Sequence, residues 1–266
     1  MTGRISSLYV YPIKGLSPQP LPSVTLTEGH GFPHDRVLAF ARPEGRYRPG
    51  ITEPLPKAQF FMLAKDARLA GLRTDFDPDT GILRVRVREH LVLTCDMGDP
   101  SGVDAATAFF GRVLDRPHHG LPVLARGEGR RYTDVSVVSD AMMNAVSLIN
   151  LASVRDLQER VGAPVDPLRF RANVYFDGMP AFSELDLVGK EFTVGGLRMR
   201  AVLNTRRCAA TEVNPATASR DLSVPRLLVR EYGHDQMGVY AEVLSGGTLR
   251  PGDVLDYPLH APTEAA

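Results

Sequence analysis

Short apolar runs, each closed within a few residues by proline or glycine, fill the first part of this 266-residue chain. A helix needs about 10–12 uninterrupted residues and a strand only about 4–8, so this punctuation predicts β-structure. Residues 5–11 read as a strand broken by Pro12, 24–27 as one ended by Gly29 and Gly31, and 36–41 as one closed by the turn from Pro43 to Gly45. Residues 46–57 carry Pro49, Pro54 and Pro56 and read as a loop. Residues 67–75 and 82–89 read as hairpin arms around Asp77-Pro78-Asp79-Thr80-Gly81, whose residue types suit a turn, and 91–95 add another strand. Short strands between frequent turns are what a barrel or sandwich requires.

Beyond this region a helix is expected over 103–114, capped by Ser101 and stopped by Pro117. Residues 116–133, rich in Pro, Gly and His, read as a link. Two helices should follow, at 140–149 and 152–161, the second with Val154, Leu157 and Val161 on one face ahead of Gly162. Strands at 173–176, 191–194, 197–203, 236–243 and 254–257 make a second β-rich unit, with Gly195-Gly196 joining two of them. The expected class is α+β and mainly β, with one unit over 1–118, another over 119–260 and a disordered tail at 261–266.

With 31 basic and 31 acidic residues, the chain has no net charge, and no nucleic-acid or membrane surface is expected. Lys14, Lys57, Lys65 and Lys190 are its only lysines, the other basic residues being arginine. Two cysteines, Cys95 and Cys208, cannot hold an internal iron–sulfur cluster on four thiolates, and they do not form a zinc-binding pair by spacing. Met1 to Arg4 lead into a strand without the apolar core of a signal peptide. The longest uncharged run, 141–154, is too short for a bilayer and contains Asn144, Ser147 and Asn150. A soluble protein of the reducing cytoplasm is the expectation.

Cys208 carries the most chemistry. It follows Arg206 and Arg207 at the end of a strand-like run. A thiol beside fixed cations loses its proton more readily, and a thiolate serves as a nucleophile or as a ligand to a soft metal. The same residue also reads as a small buried side chain closing a strand. Cys95, in an apolar strand with no adjacent cation, reads as structural.

Five segments then fall in order: Val10-Tyr11-Pro12-Ile13-Lys14-Gly15; His34-Asp35-Arg36; Arg169-Phe170-Arg171-Ala172-Asn173 with Asp177-Gly178 and Glu184; Arg207-Cys208 through Asn214-Pro215; and Gly252-Asp253. Together they resemble the MOSC proteins, named for the C-terminal domain of molybdenum cofactor sulfurase, preceded by their N-terminal β-barrel. The resemblance runs over residues 5–257 and implies an N-terminal β-barrel-like domain followed by a MOSC β-barrel with short helices. Ala172 replaces the proline usual in the arginine motif, which frees one φ angle but leaves Arg171 and Asn173 in place.

The resemblance implies that Cys208 supplies the thiolate ligand to molybdenum in the molybdenum cofactor, a pterin dithiolene bearing a phosphate. Lys14 and Arg36 become phosphate contacts, Arg171 and Asn173 bridge phosphate and pterin, and Ser147 and Arg207 complete the cofactor-binding set. Residue chemistry alone leaves other readings. Lys14 and Arg36 are also rim charges, and Arg171 a partner for Asp166 or Asp177. Asn150, which could share a helix face with Ser147, and Ser153 are further pterin candidates, and both also read as caps of the second helix. Asp134 and Ser136, read as lying in a strand, could face the site as well. His234 could donate a proton, the His118-His119 pair is a poor chelate, and Glu212 and Asn214 would shape the cysteine loop.

The implied activity is reduction of small N-hydroxylated or N-oxide substrates, with electrons from a separate electron-transfer protein because the chain has no G-x-G-x-x-G fingerprint. The alternatives are a carrier or scaffold for molybdenum cofactor or for sulfur on Cys208, without turnover, and a degenerate barrel that binds no cofactor.

Overall fold

The structure, a computed structural model, describes residues 1–114 and 120–257. Its strands in chain order are β1 (Thr2–Val10), β2 (Gln19–Leu21), β3 (Val24–Leu26), β4 (Ala39–Ala41), β5 (Leu72–Phe76), β6 (Ile82–Val87), β7 (His90–Asp96) and β8 (Val123–Ala125). They continue with β9 (Val146–Asn150), β10 (Val174–Asp177), β11 (Glu191–Val194), β12 (Leu197–Arg206), β13 (Gln236–Val243), β14 (Gly247–Leu249) and β15 (Val254–Asp256). The helices are α1 (Pro100–Val113), α2 (Asp140–Met143), α3 (Leu151–Val161) and α4 (Val224–Tyr232).

Seven strands run in the order β10-β9-β13-β12-β11-β15-β1, and pairing of β1 with β10 closes them into a barrel, with β2 attached outside on β1. Alternation builds this barrel: β1 and β12 bury every second residue over most of their length, so one face of each points into a shared core. Ile5, Leu8, Leu148, Phe176, Phe192, Met199 and Val239 meet there. A second core gathers around the β5-β6-β7 sheet and α1, with Ile13, Phe40, Leu83, Val85 and Phe110 at its centre. The fold is α+β and mainly β. The division expected between 118 and 119 lies outside the described residues, as do His118, His119 and the 261–266 tail. In space, β1 from the start of the chain belongs to the same closed sheet as β9 to β13 and β15.

Several expectations are corrected. The helix expected at 140–149 ends at Met143, and residues 146–150 are strand β9. All five β9 residues are buried between β10 and β13, so the alternation that marks a half-buried strand is missing and periodicity cannot separate it from a helix. Helix α4 forms in a stretch between 203 and 236 to which the sequence pattern assigned no element, with Pro225 in its first turn, where a missing N–H costs nothing. The strand expected at 36–41 shrinks to β4, and the first half of 67–75 is a 3-10 turn, Ala67–Gly71. Asp99, and not Ser101, caps α1, accepting from the backbone N–H groups of Ser101 and Gly102.

One glycine fixes the end of the barrel that carries the site. Gly238 in β13 has φ +77°, and a Cβ there would lie 2.4 Å from the Leu148 carbonyl oxygen and 3.0 Å from Arg207 Nη2. Strain and overpacking therefore act together in Gly238→Ala, which is expected to lower stability by about 2–4 kcal/mol in urea unfolding.

Candidate functional site

At this end of the barrel lies a cavity of about 310 Å³ whose walls include Lys14, Arg36, Ser147, Arg171, Asn173, Arg207 and Cys208. Two of these residues owe their direction to left-handed backbone. Arg171 ends the 3-10 turn Pro167–Phe170 at φ +53°, and Arg36 follows Asp35 at φ +50°. Both guanidiniums stack on the fully buried Tyr11 ring, with Cζ atoms 4.3 Å (Arg36) and 4.4 Å (Arg171) from its centroid. Arg36 also pairs with Asp35 at 2.5 Å and donates to the Arg171 carbonyl at 2.7 Å.

Among the described residues Arg171 has no such acid. Asp177 is held by Arg155 at 2.7 Å, and Asp166 accepts from Leu168 N at 2.8 Å, so neither expected partner is used. Burial pulls the Arg171 guanidinium down to about 10, with Arg36 adding to the effect and Tyr11 opposing it, and it remains charged at neutral pH. Its Nη2 is buried without a hydrogen-bond partner. The same holds for Thr133 Oγ1, Arg169 Nε, Asn204 Oδ1 and Thr205 Oγ1, all on residues lining this cavity; among the described residues only Arg42 Nε is orphaned elsewhere. Buried polar atoms are seldom left unpaired, so their concentration around one cavity marks a place built for a polar ligand.

Asp134 joins two lysines. Lys14 Nζ lies 2.6 Å from Asp134 Oδ1 and donates to the Tyr132 carbonyl at 2.9 Å, while Lys57 Nζ lies 2.8 Å from Asp134 Oδ2. Lys57 also reaches Cys208 Sγ at 3.7 Å. Burial lowers the Lys14 ammonium, against the pull of Asp134. Burial alone would raise the Asp134 carboxyl, but Lys14 and Lys57 hold it well below the usual carboxylate range. Asp134 thus contributes stability above about pH 4, which is lost as pH falls toward its depressed native value. Urea unfolding should show wild type more stable than Asp134→Asn near neutrality, the two converging as pH drops below about 3. Asp134 sits in a turn and not in the expected strand, and Ser136 donates to the Thr133 carbonyl at 3.0 Å and lines a different, smaller cavity. Lys57, whose sequence signal was only its rarity, was missed.

Cys208 is half-buried, extended at φ −122°, and placed at the end of β12 before the 3-10 turn Ala209–Glu212. Arg169 pins the following loop by donating to the Glu212 carbonyl at 3.1 Å and to Asp221 at 2.6 Å. Asn214 adds a bond to Asp221 at 2.6 Å, and Arg220 pairs with Glu212 at 3.1 Å, so Glu212 and Asn214 do shape this loop. The two flanking arginines turn elsewhere. Arg206 is exposed and binds Asp235 at 2.9 Å, and Arg207 donates to the carbonyls of Met237 at 2.8 Å and Phe170 at 3.1 Å. Successive side chains of a strand alternate in direction, so the cation touching the sulfur comes from Lys57 in another segment.

Ser147 and Asn173 satisfy each other. Ser147 Oγ donates to Asn173 Oδ1 at 2.8 Å and accepts from Asn173 N at 3.0 Å, while Asn173 Nδ2 donates to the Tyr9 carbonyl at 3.2 Å. The helix face expected to join Ser147 and Asn150 does not exist, because both lie on β9. Asn150 caps α3, accepting from Ala152 N at 3.0 Å, and Ser153 Oγ lies 2.8 and 2.9 Å from the buried Glu184 oxygens. His234 packs against Phe182 and Tyr232 and is absent from the cavity wall. Cys95 is buried beside Met97. No group of three or more His, Cys, Asp or Glu side chains gathers to hold a metal among the described residues, and no helix there is long and apolar enough to cross a membrane.

Fold and site define a mainly-β barrel protein with one thiol in the wall of a cation-lined cavity. Residues 115–256 match the MOSC domain and residues 2–117 the MOSC N-terminal beta barrel domain; the chain belongs to the MOSC family. It is similar to mitochondrial amidoxime reducing component 2 of Bos taurus, 24% identical with 94% of this chain and 82% of that protein covered. It is likewise 24% identical to mitochondrial amidoxime-reducing component 1 of Mus musculus, covering 94% and 81%. Among solved structures, the YUAD protein of Bacillus subtilis aligns over 97% of this chain and 98% of its own at 16% identity and a TM-score of 0.42.

Proposed function

We propose that this chain is a molybdenum-cofactor-dependent reductase of N-hydroxylated compounds, with Cys208 as the protein ligand to the metal. The observation that carries the reading is the meeting, in one cavity, of a half-buried thiol with a half-buried guanidinium, Arg171, whose Nη2 is buried without a partner and which no carboxylate among the described residues pairs. An unpaired buried cation is retained where an anion is to be bound. The residues fit the cofactor's parts. Arg171, Arg36 and Lys14 would hold the phosphate, Asn173 and Ser147 would form the floor beside the pterin, Arg207 would brace the wall, and Cys208 would offer the soft donor.

When bound, the cofactor supplies two-electron redox chemistry at a metal able to break an N–O bond. Reduction of an N-hydroxyl group consumes two electrons and two protons and releases water. Cys95 is buried away from the cavity and Cys208 is used in it, so the electrons would come from a separate electron-transfer protein. The relatives' names support an amidoxime or similar N-hydroxylated substrate. The compartment belongs to the same proposal: cytoplasm, as expected from the sequence, although those relatives are named as mitochondrial.

The test is molybdenum and pterin content of protein made in a host that synthesises the cofactor, followed by benzamidoxime reduction with an artificial donor. About one molybdenum per chain with turnover is the expected result. Cofactor bound without turnover would make the chain a cofactor or sulfur carrier, and no cofactor at all would overturn the reading.

A further inference from the structure

A second cavity, about 390 Å³ in volume, adjoins the one around Cys208, and the two share Gly15, Leu63, Arg169, Arg171 and Ala210 in their walls. The rest of its lining is mostly apolar, with Leu16, Pro18, Leu69, Leu168, Val213 and Pro215. Its polar side chains are already engaged. Ser17 Oγ donates to the Leu72 carbonyl at 2.9 Å, Thr74 Oγ1 accepts from Ser17 N at 3.1 Å, and Asp166 caps its own turn at 2.8 Å. Arg73 turns outward toward Glu89 at 3.6 Å. Away from the shared wall and Asp166, the lining gives a charged ligand little to replace the hydration it would lose on entry. Only on the shared wall do Arg169 and Arg171 each keep one buried nitrogen without a partner.

The geometry points to this cavity as the seat for the apolar body of the substrate, whose N–O group is presented across the shared wall toward Cys208. This assignment rests on the reductase reading. A dry cavity of about 150 Å³ admits benzene, so the larger space here takes a bicyclic arene or an alkyl chain of similar bulk. The preferred substrates are then neutral N-hydroxylated compounds with an aryl or long alkyl body, and small or charged ones are poor. A hydrophobic pocket discriminates by about 10–200-fold per methylene, so a bicyclic body should be favoured over a methyl group by at least about tenfold.

Naphthalene-2-carboxamidoxime and acetamidoxime are the probes, compared by kcat/KM in wild type and in Ala216→Phe. Ala216 is exposed at the rim of the cavity, so the larger side chain obstructs the mouth without entering the core. The naphthyl-over-methyl ratio in wild type should be at least about tenfold, and Ala216→Phe should reduce it by about tenfold or more. An unchanged ratio, or no preference in wild type, overturns the assignment. Ala70→Leu, at another half-buried residue of the lining, serves the same comparison should the first variant fail to fold.

Fluorescence titration of the naphthyl compound onto the full chain, whose lack of tryptophan leaves the naphthyl signal clear, separates the two readings. Saturable binding weakened by about tenfold or more in Ala216→Phe, with neither compound turned over, keeps the cavity assignment and removes the reductase. Turnover of both compounds with binding indifferent to Ala216→Phe removes the cavity assignment and keeps the reductase.

Discussion

Cys208→Ser is expected to lose at least about a hundredfold in benzamidoxime reduction while unfolding within a degree or two of wild type. The fold has little to lose. Cys208 has extended backbone that any residue adopts, its side chain is half-buried, and its sulfur touches one polar group, Lys57 Nζ at 3.7 Å, which a hydroxyl can also accept from. The chemistry has much to lose. A hydroxyl stays protonated at neutral pH and is a hard, neutral donor, so the soft anionic ligand disappears while its position is kept. Cofactor content should fall less than activity, because Lys14, Arg36 and Arg171 still line the cavity. Cys95→Ser is the control: that thiol is packed against Met97 in the second core, so a hydroxyl there should weaken stability by about 1–3 kcal/mol and leave the metal untouched. Metal per chain, turnover with an artificial donor and thermal unfolding check all three statements, and full activity in Cys208→Ser would end the ligand assignment.

The fold was readable wherever local pattern and burial agree. Strands β11 and β13 begin and end where the sequence places them; β11 alternates cleanly and runs into the Gly195-Gly196 turn, and the second half of β13 alternates as well. Where burial is two-sided, as in β9, alternation vanishes and a strand imitates a helix. Helix α4 carries Pro225 in its first turn, a position that suits proline, whereas in a helix interior proline breaks the helix. The site was readable by motif and hardly at all by spacing. Lys14, Arg36, Arg171 and Cys208 come from four separate segments, and only the barrel's closure through β1 and β10 brings them together. Lys57 was lost because its ion pair with Asp134 spans 77 residues, which no local pattern encodes. Arg206 and Arg207 drew attention by adjacency to the cysteine, yet the structure gives their donors to Asp235 and to main-chain carbonyls.

Arg171→Met is expected to separate ligand binding from folding. In protein stripped of cofactor, its stability should equal or exceed that of wild type. A buried charge without a counter-ion is costly, and replacing such groups by apolar ones of similar volume is often neutral or stabilising by about 1–4 kcal/mol. The stacking on Tyr11 is lost, which offsets about 0.5–2 kcal/mol of that gain. The bond from Arg36 survives, because it reaches the Arg171 carbonyl and not the side chain. Cofactor retention should move the other way. A charge-assisted hydrogen bond to phosphate contributes about 1.5–3 kcal/mol, so affinity should drop by about 10–100-fold. Arg169→Met supplies the contrast: its guanidinium holds the Glu212 carbonyl and Asp221, and losing those bonds should destabilise the cofactor-free protein by about 2–3 kcal/mol. Urea unfolding of the stripped variants and pterin content of the loaded ones are the measurements. Were Arg171→Met to behave like Arg169→Met, losing stability with the cavity empty, Arg171 would be a brace of the fold and its assignment to the phosphate would fall.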